Sequence, residues 1–268
     1  ITSGQYSGIL INRSTVSGGV LNTGYLSGQG SAALIVSAAS VAGGIKNSGT
    51  VIGSRGIYIY GNSTTHSSAT GGITNAGKIE TTSEGVSVYQ STLSGWIVNQ
   101  PNAIIDSAST GVIVRTGQVI GGISNAGLIQ GVSQQAVRVF NSTVVGSIIN
   151  AGTLLGGQMG INVSLSSVSG DITNTVGGTI SAGVGVVVQN STVSGAIVNV
   201  GRIEGSSYGI QVTHSSLAGG VQNQLGGTII GATGLLVNSS NTSITNSGFI
   251  NGSGGVAVSA SGTTVVVK

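Results

Sequence analysis

The sequence predicts an all-β fold: a single-stranded, three-sided parallel β-helix of about 10–11 coils, expected to be right-handed and to run as one solenoid over residues 1–268. Three observations predict it. An asparagine-centred motif returns about every 25 residues, apolar and polar residues alternate with a period of two, and the composition holds ample core-forming aliphatics with almost no charge.

The motif reads apolar-x-Asn-x-Gly-x-apolar. Clear copies are ITNAGKI (73–79), ISNAGLI (123–129), IINAGTL (148–154), IVNVGRI (197–203) and ITNSGFI (244–250). VLNTGYL (20–26), IKNSGTV (45–51), IVNQPNAI (97–104), ITNTVGGTI (172–180) and VQNQLGGTI (221–229) are looser, varying after the Asn. The anchors are Asn22, Asn47, Asn75, Asn99, Asn125, Asn150, Asn174, Asn199, Asn223 and Asn246, spaced by 23 to 28 residues. A period in this range is the signature of a stacked-repeat architecture.

Two further segments complete each repeat. One reads Gly-apolar-x-apolar, as in GIYI (56–59), GVSV (85–88), GVIV (111–114), GINV (160–163) and GIQV (209–212). The other is a Ser/Thr-rich turn leading to an apolar residue and glycine, as in STLSG (91–95), SSVSG (166–170), STVSG (191–195) and SSLAGG (215–220). Alternation with period two marks half-buried strands, and no segment has the 3.6 period of a helix. Three short strands joined by Gly/Ser/Asn turns make one coil, and coils stacked at about 4.8 Å give a rod on the order of 50 Å long.

Taking Asn199 as phase zero, the inward positions of a coil are Ile197, Asn199, Ile203, Ile210, Val212 and Leu217. About six inward side chains at roughly 1.5–3 kcal/mol each cannot offset the ordering of about 25 residues at roughly 1–2 kcal/mol apiece. Neighbouring coils must therefore share ladders and a core. An inward Asn is costly unless its amide is satisfied. Stacked at one corner, successive amides can bond one another and the turn carbonyls, so the anchors are expected to form a structural ladder. Pro101, the one proline, falls just after Asn99 at a corner, where its missing donor is harmless.

Composition excludes several function classes. Charged residues are 5 % of the chain against about 25 % in ordinary domains, so Ser, Thr, Asn and Gly must supply the wettable surface. At 39 % hydrophobic, the chain has what disordered, glycine-rich segments lack. The net charge of +3 is scattered, without the basic stripe and interleaved aromatics of a nucleic-acid binder, so no nucleic-acid partner is expected. No cysteine is present, which removes disulfide and thiolate chemistry and is compatible with export. No run of about 18 apolar residues could span a bilayer as a helix.

The residues offer little for catalysis, and no enzyme, cofactor or metal site is expected. The acids are Glu80, Glu84, Asp106, Asp171 and Glu204. Glu80 and Glu204 share a phase but lie five coils apart, whereas glycoside hydrolysis needs two carboxylates within about 5–10 Å. Asp106 is one coil above Glu80 but two residues further along, so it could approach the same face; the plainer expectation is solvated charge. Arg55, Arg115 and Arg138 have no acidic cluster beside them, and His66 and His214 sit in Ser/Thr-rich turns of distant coils. A surface stripe three residues after the anchor, comprising Tyr25, Thr50, Lys78, Leu128, Thr153, Arg202 and Phe249, is a candidate recognition column, although its mixed chemistry makes ordinary solvent-facing surface the plainer expectation.

Forms such as ITNAGKI and ITNSGFI, followed by Gly-Ile-x-Val, resemble the passenger repeats of bacterial autotransporter adhesins, and the resemblance covers essentially the whole chain. It implies export across the outer membrane, a cell-surface location and folding outside the cell, with a host-cell or surface ligand as partner. The sequence opens near phase +4 and stops 22 residues after Asn246, with no amphipathic cap at either end. Open solenoid ends invite pairing with another copy. Two expectations follow, a segment of a longer rod or a subunit that stacks end to end into a filament.

Overall fold

A computed structural model describes residues 2–3, 6–62, 64–238 and 240–262. Every strand pairing in it is parallel and joins one coil to the next, as in Asn75↔Asn99, Asn99↔Asn125 and Asn125↔Asn150. The strands fall into two hydrogen-bonded sheets, of 16 and 17 strands. No helix occurs among the described residues. The chain is a parallel β-solenoid, as the alternation and the repeat predict.

The corner expected at the anchor Asn separates the two sheets. The anchor motif is cut at its Asn: Ile73–Asn75 belongs to the 17-stranded sheet, whereas Lys78–Tyr89, which begins three residues later, belongs to the other. The apolar residues after the Ser/Thr turn join the first half of the anchor, seen in the continuous strand Thr92–Asn99. The second half of the anchor runs into the Gly-apolar-x-apolar segment, either without a break, as in Arg202–Thr213, or across a short gap, as between Ile104–Ser107 and Thr110–Arg115. Register shifts between Thr81 and Glu84, Ala182 and Val184, and Glu204 and Tyr208 mark where that strand bends. Such irregularities turn a strand without ending it.

The core consists of columns of like residues. The anchor −2 position stacks Ile45, Ile73, Ile97, Ile123, Ile148, Ile172, Ile197, Val221 and Ile244, none more than 2 % exposed. Ile197, Asn199, Ile203, Ile210, Val212 and Leu217 are all buried, as their phase predicts. β-Branched side chains suit this stacking because each has few rotamers to lose on the pleated surface.

The corner after the Gly-apolar-x-apolar strand is built on left-handed backbone. Arg13, Ala38, Gln90, Thr116, Asn141, Leu165, Asn190 and His214 occupy it with φ between 47° and 53°. Each such residue costs about 1–2 kcal/mol unless it is Gly or Asn. Inter-coil bonds offset that cost: Thr116 N–H donates to Phe140 O at 3.0 Å, Asn141 N–H to Ser164 O at 3.1 Å and His214 N–H to Asn238 O at 3.0 Å. The following serine closes the turn. Ser166, Ser191 and Ser215 each donate Oγ–H to the carbonyl two residues back at 2.7–2.8 Å. Their Oγ atoms accept the backbone N–H of the preceding coil's serine at 3.0–3.1 Å, from Ser142, Ser166 and Ser191. This second ladder was hidden in the sequence by the abundance of serine.

Candidate functional site

The ten anchor asparagines form an unbroken ladder of nine amide–amide bonds. Asn22 Nδ2 donates to Asn47 Oδ1 at 2.7 Å, Asn47 to Asn75 at 2.8 Å and Asn75 to Asn99 at 2.8 Å. The chain continues through Asn125, Asn150, Asn174 and Asn199 at 2.9 Å per step. It ends with Asn199 to Asn223 at 2.9 Å and Asn223 to Asn246 at 2.8 Å. Each Nδ2 through Asn223 also lies within hydrogen-bond reach of a carbonyl in the next coil, for example Asn150 to Thr179 O at 3.1 Å. Two turn lengths are accommodated. Asn75 and Asn150 reach the carbonyl two residues on, while Asn99, Asn174 and Asn223 reach the one four residues on. That is why the sequence varies after the anchor while the Asn does not. The ladder is a structural element, with its amides consumed by one another and by backbone.

The predicted stripe is a true column. Tyr25 pairs with Thr50, Thr50 with Lys78, Leu128 with Thr153, and Arg202 and Phe249 both with Thr228. Ile104, Thr179 and Thr228 fill its gaps. Tyr25 and Phe249, 48 % and 57 % exposed, are at opposite ends, with no ring contact between them. Two of its cations are taken by neighbouring acids: Lys78 Nζ lies 2.6 Å from Glu80 and Arg202 Nη2 2.8 Å from Glu204. The Glu80 hydrogen bond raises the Lys78 pKa. Glu80 and Asp106 are direct register partners, because the longer Asn99–Ala103 turn absorbs the two-residue offset counted in the sequence. Both sit on an open sheet face.

The structure assembles a different cluster, which sequence reasoning did not find. The outward positions of four successive Gly-apolar-x-apolar strands bring together Tyr58, Tyr60, Tyr89, Arg115, Arg138 and Phe140, with Arg55 and Glu84 at one edge. Tyr60 pairs in register with Tyr89, Tyr89 with Arg115, and Arg115 with Phe140. The Tyr60 and Tyr89 rings stack at 5.7 Å with a 9° interplanar angle, and Tyr58 joins at 5.4 Å. Each arginine lies over a ring: Arg55 over Tyr58 at 4.7 Å, Arg115 over Tyr89 at 4.7 Å and Arg138 over Phe140 at 4.9 Å. Such contacts contribute about 0.5–1 kcal/mol each when exposed and more when dry. Three of the eight basic and four of the nine aromatic residues of the whole chain are here, a concentration that the composition does not provide for. Aligning the residue that follows each Gly-apolar-x-apolar segment, which gives Tyr60, Tyr89, Arg115 and Phe140, would have revealed the column.

The electrostatics of the cluster are asymmetric. Arg55 Nε bonds Glu84 Oε2 at 2.8 Å. The Arg115 and Arg138 side chains have no hydrogen-bond or carboxylate partner among the described residues, and the Nε of each is buried without an acceptor. Burial and the neighbouring Arg115 guanidinium lower the Arg138 pKa from its ordinary value. Burial dominates at Tyr58 too, pushing its phenol up to about 12 against the opposing pull of Arg55. The folded state therefore keeps a proton that an unfolded tyrosine releases near 10, so stability falls as pH rises between these values. An alkaline titration followed by phenolate absorbance is expected to show a late-ionising phase that Tyr58→Phe removes.

Beside the cluster runs an open polar groove of about 970 Å³. It follows the left-handed corner over five coils and is lined by Thr116, Asn141, Leu165, Asn190 and His214 with their Ser and Thr neighbours. Thr116 and Asn141 directly follow Arg115 and Phe140, so groove and cluster are one continuous surface. Of the two histidines, His214 thus lines the groove, whereas His66 lies in the exposed loop between Gly61 and Ser67. Comparison with known proteins found no family model, no curated protein and no solved structure that matches the chain.

Proposed function

We propose that the chain is an extracellular, adhesive rod of the bacterial cell surface, serving as the stalk of a passenger like those its repeats resemble, and that it carries out no covalent chemistry. The observation that supports this reading most is the continuity of the ladders. With Asn, Ser and aliphatic columns running through successive coils, stiffness resides inside and the outward residues are free to vary. Such a fold delivers a surface at a distance. The arginine–aromatic cluster and the adjoining groove give that surface a concentrated chemistry.

The test is binding of the purified, fluorescently labelled chain to host cells and bacterial surfaces. Saturable binding competed by unlabelled chain is the expected result, and its absence across cell types overturns the adhesive role. Release of reducing ends or unsaturated sugars from polysaccharides would establish an enzyme instead. Electron microscopy is expected to show rods on the order of 50 Å long; long filaments would favour end-to-end assembly as the function.

A further inference from the structure

We infer that the arginine–aromatic cluster and the groove beside it together bind an extended acidic polysaccharide, lying parallel to the solenoid axis, with Arg115 and Arg138 engaging its carboxylate or sulfate groups. The inference rests on the adhesive reading above and supplies its ligand class.

Charge complementarity carries the argument. Of the three guanidiniums in the cluster, one is neutralised by Glu84 and two are not. Arg115 and Arg138 come from adjacent coils, each held over an aromatic ring that fixes its plane. A guanidinium immobilised in this way loses less freedom on bonding an oxyanion, and its fork geometry matches carboxylate and sulfate. The buried Nε and partly exposed side chain leave the outer edge of each guanidinium to the ligand.

The spacing suits a sugar chain. Coil rungs repeat at about 4.8 Å, close to the advance of one pyranose residue in an extended polysaccharide. Successive rungs can thus meet successive sugars without either partner bending. Beyond the arginines, the groove offers Asn141, Asn190, Thr143 and Thr192, whose amides and hydroxyls match the hydroxyls of the same chain. Tyr89 lies between the Tyr60 ring and the Arg115 guanidinium, and Tyr60 also contacts Tyr58, so these rings stiffen the cations instead of stacking on bases. A nucleic acid is disfavoured on that ground, because its recognition as a single strand uses aromatic faces open for base stacking.

The experiment measures binding of the intact chain to polygalacturonate, dextran sulfate, neutral dextran and single-stranded DNA, at low and at moderate salt. Expected are salt-sensitive binding to polygalacturonate, dextran sulfate or both, none to neutral dextran, and at least a tenfold loss of affinity in R115Q/R138Q. Binding to polygalacturonate alone assigns carboxylate recognition, and binding to dextran sulfate assigns sulfate. Arg138→Glu, which reverses the charge, should abolish binding while the circular dichroism spectrum stays that of the parent. Unchanged affinity in R115Q/R138Q, or equal affinity for neutral dextran, overturns the inference. Tighter binding to DNA, lost in the same variant, reassigns the surface to nucleic acid. If R115Q/R138Q loses polyanion binding yet still adheres to cells, the cluster binds polyanions but is not what adhesion uses, and adhesion stands without it. A chain that binds polyanions but no cell removes adhesion and leaves the ligand.

Discussion

Asn150→Ala is expected to lower the unfolding free energy by on the order of 3 kcal/mol. Asn150 is fully buried at the middle of the ladder. Its Nδ2 lies 2.9 Å from Asn174 Oδ1 and 3.1 Å from both Gly152 O and Thr179 O, and its Oδ1 accepts from Asn125 at 2.9 Å. Alanine removes these bonds together. Asn174 Oδ1 is left without a donor and Asn125 Nδ2 without its amide acceptor, and a buried unsatisfied group costs about 1–3 kcal/mol. The loss falls on both faces of one coil, because a solenoid is stabilised by its nearest-neighbour interfaces. Urea unfolding checks it: the midpoint falls, and a change below about 1 kcal/mol would mean that the ladder accompanies the stacking instead of supporting it.

Gly185→Val is expected to cost about 3 kcal/mol or more, at the upper end for an overpacked core. Gly185 belongs to the glycine column that opens the Gly-apolar-x-apolar segment. A Cβ there would lie 2.5 Å from Gly209 O and 2.5 Å from Ile203 Cγ2, both in the next coil. Gly85, Gly160 and Gly209 show the same pair of contacts at 2.3–2.6 Å. The column already tolerates Ala136 and Ala33, both buried, so one methyl can be absorbed where the neighbouring coil yields. A branched side chain adds two more carbons against a backbone carbonyl. Gly185→Ala should therefore cost about 1 kcal/mol, and thermal unfolding should rank Val below Ala below Gly. Equal stabilities would show that the column is glycine for some reason other than space.

Much of the architecture was legible because a solenoid converts sequence period directly into spatial neighbourhood. Once Asn99 and Asn125 are recognised as the same phase, their contact follows, and so does the burial of Ile97 and Ile123. The corner at the anchor Asn was legible, but which sheet each half of the anchor joins was not, since both halves alternate with the same period and only hydrogen-bond pairing separates Ile73–Asn75 from Lys78–Tyr89. The serine ladder was obscured for a related reason. Ser166, Ser191 and Ser215 resemble every other serine in the chain until their Oγ atoms are found accepting backbone N–H groups.

The candidate site was less legible than the fold. In the sequence Arg115 and Arg138 stand out only by lacking acidic neighbours, and the stripe of Tyr25, Thr50 and Lys78 is visible as a candidate because it is counted from the anchor. The structure showed that missing neighbours are what distinguish the two arginines, while Lys78 and Arg202 of the stripe are already paired with Glu80 and Glu204. By itself the sequence determined the coil, its inward residues and the amide ladder, because these depend on periodicity, and stacking repeats the same contact in every coil. Only the tertiary structure decided which outward residues form a surface. Those residues do not repeat, and their meeting depends on register, side-chain reach and local turn length.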